Sequence, residues 1–285
     1  YENIGKYDDA YDYYNKALRL DPDFSPAISN LSHLTNKATF LRPAKGQRIS
    51  LCMIVKNEEA DLPRCLDSVS GVINETIIVD TGSTDRTIEI AREYGAKIIN
   101  FEWNNNFSDA RNISIDAASG DWILILDADE IITKLDIEDL LRLCNSPEYD
   151  AYGLHYRNYT NESSGSIWVP NDFAYTEGNG IAGWFPTRKV RLFRNDKRIK
   201  FTGAVHEAAE PAIRQNGLRV GEAHFPVHHY GELKKKTITD KKLKYLEYGK
   251  KKIEEEKIEL LTLCSFRKCF FWNVFQRVSF KMELL

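Results

Sequence analysis

From residue 49 to about residue 126, short apolar runs alternate with stretches of helical spacing. The runs are "ISLCMIV", "ETIIVD", "KIINF" and "WILIL". Between them lie a helix near "LPRCLDSV", one through Ile88, Ala91 and Tyr94, and one through Ala110, Ile113 and Ala117. Apolar strands buried on both faces and joined by helices form a parallel sheet, because parallel neighbours need a crossover too long for a turn. The pattern therefore predicts an α/β fold with a doubly wound, mostly parallel, Rossmann-like sheet.

In such sheets ligands bind beyond the carboxyl ends of the strands. The residues leaving those ends are Asn57 and Glu58, Asp80 to Asp85, and Asp127 to Glu130, and each set is polar. The last set closes "WILILDADEII", an apolar strand that finishes in acids. Side chains at i and i+2 of a strand point to one side, so Asp127 and Asp129 can aim their carboxylates into one space. Left alone they repel each other, so a cation is expected there. Paired carboxylates suit Mg²⁺ or Mn²⁺, whose remaining oxygen ligands come from water and substrate phosphates. In "IIVDTGSTDRT", Asp80 leaves its strand, Gly82 loosens a turn, and Ser83 or Thr84 is placed to cap the next helix. In "WNNNFSDARN", Asn106 or Ser108 is placed to cap, with Arg111 and Asn112 beside the apolar face.

The flanks differ from this core. Gly5, Tyr7, Ala10, Tyr14, Ala17 and Pro22 fall where the second helix of a tetratricopeptide repeat carries its small, aromatic and closing residues. "SPAISNLSHLTNKA" fits the start of another repeat. The expected plan is a partial repeat-like helical segment at 1–41, a linker at 42–48, the α/β domain at 49–232, and a C-terminal helical extension with an unassigned tail at 233–285. Leu243, Leu246 and Ile253 suggest one helix in that extension. A net charge of −3 supplies no basic field, so nucleic acid is not an expected partner. No apolar run reaches the ~18 residues of a membrane helix, and the start has no signal-peptide pattern. Five cysteines without a CxxC argue for a reducing compartment, and the expected location is cytoplasmic.

Together, "LCMIVKNEEADLPRCLDSV", "IIVDTGSTDRT", "FSDARNISIDAASGDWILILDADE" and "VRLFRN…FTGAVHE" resemble a family 2 glycosyltransferase of the GT-A fold. The resemblance covers about residues 48–232 and is closest to the bacterial branch linked to tetratricopeptide repeats. It implies a nucleotide-sugar donor, expected to be a UDP-sugar, with Asp80 on the base or ribose. Asn57, Glu58, Asp85, Arg111 and Asn112 are further candidates around the donor. It implies that Asp129, helped by Asp127, holds Mg²⁺ or Mn²⁺ on the diphosphate. Arg188 and Arg191 are candidates for charge-assisted bonds to phosphate, with a strand-face salt bridge as the alternative for each. Members of this type invert configuration, which needs a base on the acceptor side. "GAVHE" offers Glu207, with His206 as support or second candidate. In "VHHYGE", His228 or His229 is a candidate for the metal or diphosphate. The acceptor is expected to be a protein, a peptide or a cell-envelope glycan.

Two other readings compete. A haloacid-dehalogenase-type phosphatase also has a strand-end DxD, and there Asp127 would be the nucleophile. That fold carries the motif on its first strand, whereas three strand–helix units precede it here. A repeat scaffold joined to an inactive transferase fold is the non-enzymatic alternative.

Overall fold

The first strand, β1 (Ile49–Val55), has almost no polar surface to offer, and the fold buries it at the centre of the sheet. The computed structural model of the chain describes residues 13–14, 17–18, 21, 23–30, 46–163 and 167–233. Along β1 the side chains alternate between two cores. Ile49, Leu51, Met53 and Val55 face one, and Cys52 faces the other. β4 (Trp122–Ile125) does the same, with Trp122 and Leu124 in the first core and Ile123 and Ile125 in the second. Period-two alternation between two apolar layers is what a strand covered on both faces requires.

The first core is covered by α1 (Leu62–Val69), α2 (Thr87–Glu93) and, later in the chain, α4 (Ile137–Asn145). In α1, Leu62, Cys65, Leu66 and Val69 are buried, an i, i+3, i+4, i+7 stripe on one helix face. The second core is covered by α3 (Phe107–Asp116) and α5 (Glu210–Gln215). Asn106 caps α3 by accepting from the backbone N–H groups of Ser108 and Asp109, at 3.0 and 3.4 Å. Such a cap stabilises by about 1 kcal/mol. Tyr94, expected on an apolar face, is instead 38% exposed and donates its hydroxyl to Asp67.

β2 (Glu75–Asp80) and β3 (Lys97–Asn100) complete the parallel half. The remaining strands are β5 (Glu130–Ile131), β6 (Ala151–Thr160), β7 (Val169–Pro170), β8 (Gly183–Arg194) and β9 (Val220–His229). The order across the sheet is β3-β2-β1-β4-β8-β6-β9-β5, with β7 on β8. β8 runs antiparallel to β4 and β6, so β6 runs the same way as β4. β9 pairs parallel with β6 and antiparallel with β5. The chain thus reverses direction of travel about β1, and β1 and β4 flank the switch point where ligands enter such sheets.

One connection constrains the shape of this sheet. β4 and β5 are separated by three strands, yet only residues 126–129 join them. Four strand spacings in a flat sheet come to about 19 Å. Five residue steps span at most about 18 Å when fully extended, and Ala128 and Asp129 form a turn. The antiparallel half therefore coils, bringing β9 and β5 over the end of β4.

Residues 25–30 are helical, as are the described positions 13–14 and 17–18, but most of the repeat-like segment lies outside the described residues. So do most of the expected linker and all of 234–285, including the expected helix through Leu243, Leu246 and Ile253. No helix among the described residues is long and apolar enough to cross a membrane.

Candidate active site

Two groups of polar side chains gather at the carboxyl edge of the sheet, one on each side of the β4 end. The first is buried around Arg111 of α3. Its Nη2 donates to Asp127 Oδ1 at 2.8 Å and its Nε to Glu207 Oε1 at 2.7 Å. Arg191 of β8 donates Nη2 to the same Glu207 oxygen at 3.4 Å. Both arginines are buried, with Phe201 under their guanidinium planes at 5.8 and 5.6 Å. The loop carrying Glu207 is held against α3. Ser108 Oγ donates to Gly203 O at 2.6 Å and Phe107 N to Ala204 O at 3.0 Å. Thr202 and Ala208 close it by exchanging backbone hydrogen bonds. His206, inside that loop, is exposed and has a left-handed backbone (φ +56°).

Partial burial pushes the Asp127 carboxyl up, but Arg111, then Arg191 and Lys189, outweigh it and hold it well below the usual carboxylate range. Glu130 goes the other way: burial, then the neighbouring Asp127 charge, raise it, and Lys189 opposes them from 3.6 Å. Its Oε2 accepts the Asp127 backbone N–H at 3.0 Å. Arg111 Nη1, Arg191 Nη1 and the Tyr156 hydroxyl are buried without a hydrogen-bond partner among the described residues. Buried donors left in this way mark a place for water or an anionic group.

The second group is Asp129 and His229. The β5–β9 ladder sets Glu130 opposite His229 and Ile131 opposite His228, and Tyr230 N donates to Asp129 O at 3.1 Å. His229 Nε2 lies 3.5 Å from Asp129 Oδ1. Asn158 fixes the ring: its amide donates to Phe185 O and Thr187 Oγ1, so its oxygen accepts from His229 Nδ1 at 2.7 Å. Burial pushes the His229 pKa down, but the Asp129 contact and the Glu130 charge leave it above the ordinary histidine value. Gly231 makes room here, since a Cβ at that position would lie 2.7 Å from His229 Nε2 and 2.8 Å from Asp129 Oδ2.

A carboxylate facing an imidazole nitrogen whose other nitrogen is held by an amide oxygen offers the donors that a metal ligand pair with a supporting shell would use. Among the described residues no group of three or more His, Cys, Asp or Glu is placed to share an ion. Two protein donors suit a hard cation that takes its other ligands from phosphate and water. These residues fit Mg²⁺ or Mn²⁺.

Several expected site residues have other partners. Asp127 gives Oδ1 to Arg111, and because the strand ends at Ile125 and a turn follows, Asp127 and Asp129 are not held in the i, i+2 register of a strand. His228 is fully buried, with Nδ1 on the Tyr159 hydroxyl at 2.7 Å and its ring stacked on Tyr159. Adjacent strand residues face opposite sides, so only one of the two histidines can meet Asp129. Arg188 makes a bidentate exposed pair with Glu222. Asn112 bridges α3 to the backbone N–H and C=O of Phe201 at 2.9 and 3.0 Å. The acids close the fourth strand of the chain and not the first, which disfavours the phosphatase reading.

At the other side, Asp80 accepts from Gly82 N and Ser83 N, both at 3.1 Å, around a turn in which Gly82 has φ +98°. Asn57 (φ +55°) accepts from Thr84 N at 2.8 Å, and Glu58 N donates to Thr87 Oγ1 at 2.7 Å. Asp85 accepts from Thr87 N and Glu59 N. These contacts stitch the loops after β1 and β2 together. Ser83 and Thr84 serve there and do not cap α2, whose N-cap position is Arg86. Asn158, Lys189, Tyr156 and Gly231 were not legible as site residues. The only cue was the glycine directly after "HHY".

The model of the family described as Glycosyl transferase family 2 matches residues 50–212. A TPR repeat-containing protein of Synechococcus elongatus is 39% identical over 199 residues, 67% of this chain and 44% of that protein. The SPbeta prophage-derived glycosyltransferase SunS of Bacillus subtilis is 32% identical over 161 residues, 56% of this chain and 34% of that protein. Among solved structures, Staphylococcus aureus TarS in complex with UDP-GlcNAc aligns with a TM-score of 0.48 at 18% identity, over 64% of this chain and 58% of that one. Glucosyl-3-phosphoglycerate synthase from Mycobacterium tuberculosis, in complex with Mn²⁺ and UDP-glucose, is 28% identical with a TM-score of 0.35, over 39% and 44%. The chain spans less than half the length of these curated relatives. On the match over residues 50–212, the chain belongs to glycosyl transferase family 2.

Proposed function

We propose that the chain carries the catalytic domain of a metal-assisted, inverting transferase that moves a sugar from a UDP-sugar to a protein, peptide or cell-envelope glycan acceptor. We place it in the tetratricopeptide-linked branch and in the cytoplasm, where the buried free thiols Cys52, Cys65 and Cys144 stay reduced. The observation that carries the reading is the Asp129–His229 pair at the rim of the sheet, with His229 oriented by Asn158. Asp129 and His229 would hold Mg²⁺ or Mn²⁺. When bound, the ion offsets the negative charge that develops on the departing diphosphate. The buried Nη1 donors of Arg111 and Arg191 suit the same phosphates. The Asp80 turn lies beyond β2, where the base or ribose is placed. On the acceptor side Glu207 is the base, with His206 as the second candidate. Oε1 of Glu207 carries both arginine contacts, so Oε2 is the oxygen that takes the acceptor proton. The acceptor oxygen attacks the anomeric carbon as the bond to the nucleoside diphosphate breaks.

A thermal-shift screen of UDP-sugars with and without Mn²⁺ tests this reading. A ligand at about 100 times its Kd stabilises the folded state by about 2.7 kcal/mol. One UDP-sugar is expected to raise Tm only with metal, and Asp129→Ala to abolish the rise. An equal rise in that variant, or none in the unaltered chain, would count against the site and favour a scaffold.

A further inference from the structure

The segment between β6 and β8 presents an aromatic side chain that packing does not explain. Phe173 has φ +55° and is 72% exposed. Left-handed backbone is disfavoured for any residue with a Cβ and is rarest for bulky ones, so Gly or Asn ordinarily fills such a position. Nor does Phe173 gain burial in exchange. The turn beneath it is nonetheless fixed from several sides. Arg157 grips Asp172 in a bidentate pair at 2.6 and 2.8 Å. The Asn171 amide donates to Gly178 O and Ile181 O, while its oxygen accepts from Phe173 N at 3.1 Å. Ala174 N donates to Asp172 Oδ1 at 3.1 Å. Strain that the surroundings impose on one exposed side chain is the pattern of a contact built for a ligand.

Its place in the fold says which ligand. β6 runs parallel to β4, so its carboxyl end opens on the same edge of the sheet as Asp129. Asn158 of β6 holds His229, and the Tyr230 hydroxyl donates to Glu177 O in the Phe173 segment at 3.1 Å. In strand order β6 and β8, which flank the segment, lie across β4 from the Asp80 loop, and β8 also leads into the loop of the proposed acceptor base Glu207. We infer that Phe173 is an acceptor-binding residue whose ring stacks on a pyranose face of a glycan. The negative face of an aromatic ring attracts the C–H groups of a sugar face. The flanking Asp172, Thr176 and Glu177 supply hydroxyl-compatible polarity. Phe173 stands out from the surface, where a flat ring can lie against a sugar face. This inference rests on the transferase reading above.

The test uses the full chain labelled at its phenylalanine rings, with UDP and Mg²⁺ present, observed by NMR. Methyl glycosides of glucose, N-acetylglucosamine and rhamnose, with cellobiose and chitobiose, form one arm; short peptides form the other. The Phe173 resonance is assigned by its loss in Phe173→Ala. At least one saccharide is expected to shift it, and Phe173→Ala to weaken that binding about tenfold. Phe173→Trp keeps the binding. Phe173→Asn, which suits the left-handed backbone, raises Tm and loses the binding. Saccharides that leave the resonance in place, peptides that move it instead, or unchanged saccharide binding in Phe173→Ala would overturn the proposal. The UDP-dependent thermal shift is read separately; it stays intact in every Phe173 variant, and its absence from the unaltered chain would overturn the donor reading instead.

Discussion

Replacing Arg111 with Met removes one cation from between two carboxylates while keeping most of the side-chain volume. Arg111 is 4% exposed and binds Asp127 at 2.8 Å and Glu207 at 2.7 Å. Breaking a fully buried pair from one side costs about 3–5 kcal/mol. Two features lower the figure here. Arg191 still stands 3.4 Å from Glu207, and the Asp127 side chain is 32% exposed. We therefore expect a loss of about 2–3 kcal/mol at pH 7, read from urea denaturation. The pH dependence supplies the stricter test. The Asp127 carboxyl sits below its ordinary value of 3.8, so its contribution is present above that pH and is lost as acid carries it toward the depressed folded value. Without Arg111, burial pushes the same carboxyl up against Arg191 and Lys189 alone, so Asp127 protonates at higher pH in the variant and the variant loses less stability on acidification. The gap between the two proteins narrows as pH falls from 7 toward 4. Adding Asp127→Asn and Glu207→Gln to the variant brings stability back to within about 1 kcal/mol of the starting protein. A gap that is small at pH 7, or constant across that range, would refute the argument.

Other consequences are simpler to check. Asn158→Ala releases the His229 ring and is expected to weaken Mn²⁺ binding about 10–100-fold, measured by metal titration of the donor-dependent thermal shift. Gly231→Ala drives a methyl group against His229 Nε2 and Asp129 Oδ2; metal-dependent transfer should fall at least about tenfold, with the fold intact by circular dichroism. The raised pKa of His229 contributes stability that is full below its ordinary 6.5 and lost as pH rises through the raised value. With chelator present, His229→Gln should thus lower Tm more at pH 6 than at pH 9. Mn²⁺ binding should run the opposite way and weaken on acidification, because the ligand nitrogen must be unprotonated.

Local pattern carried the parallel half of the molecule. "ISLCMIV" and "WILIL" are apolar on both faces, so their central place in the sheet follows from composition and the helices between them. Asp127, Asp129, Asp80, Arg111 and Glu207 were all legible as polar residues at strand ends or in motifs. Their pairings were not. Whether Asp127 meets a metal or Arg111 depends on the turn at Ala128 and Asp129, and a two-residue period gives no warning of that turn. Likewise "HHY" names two histidines without saying which faces Asp129; the β5–β9 register decides it. Asn158 is separated from His229 by 71 residues, and a polar residue in mid-strand has no meaning until β6 and β9 lie side by side.

The four residues that carry the acidic pair also bridge from β4 to the far margin of the coiled half. Their number is therefore under as much constraint as their chemistry. Inserting even two glycines between Asp127 and Asp129 would leave every side chain present yet slacken the span that brings β5 against β9. The segment between β6 and β8 bears no such span, because it joins strands that already lie side by side.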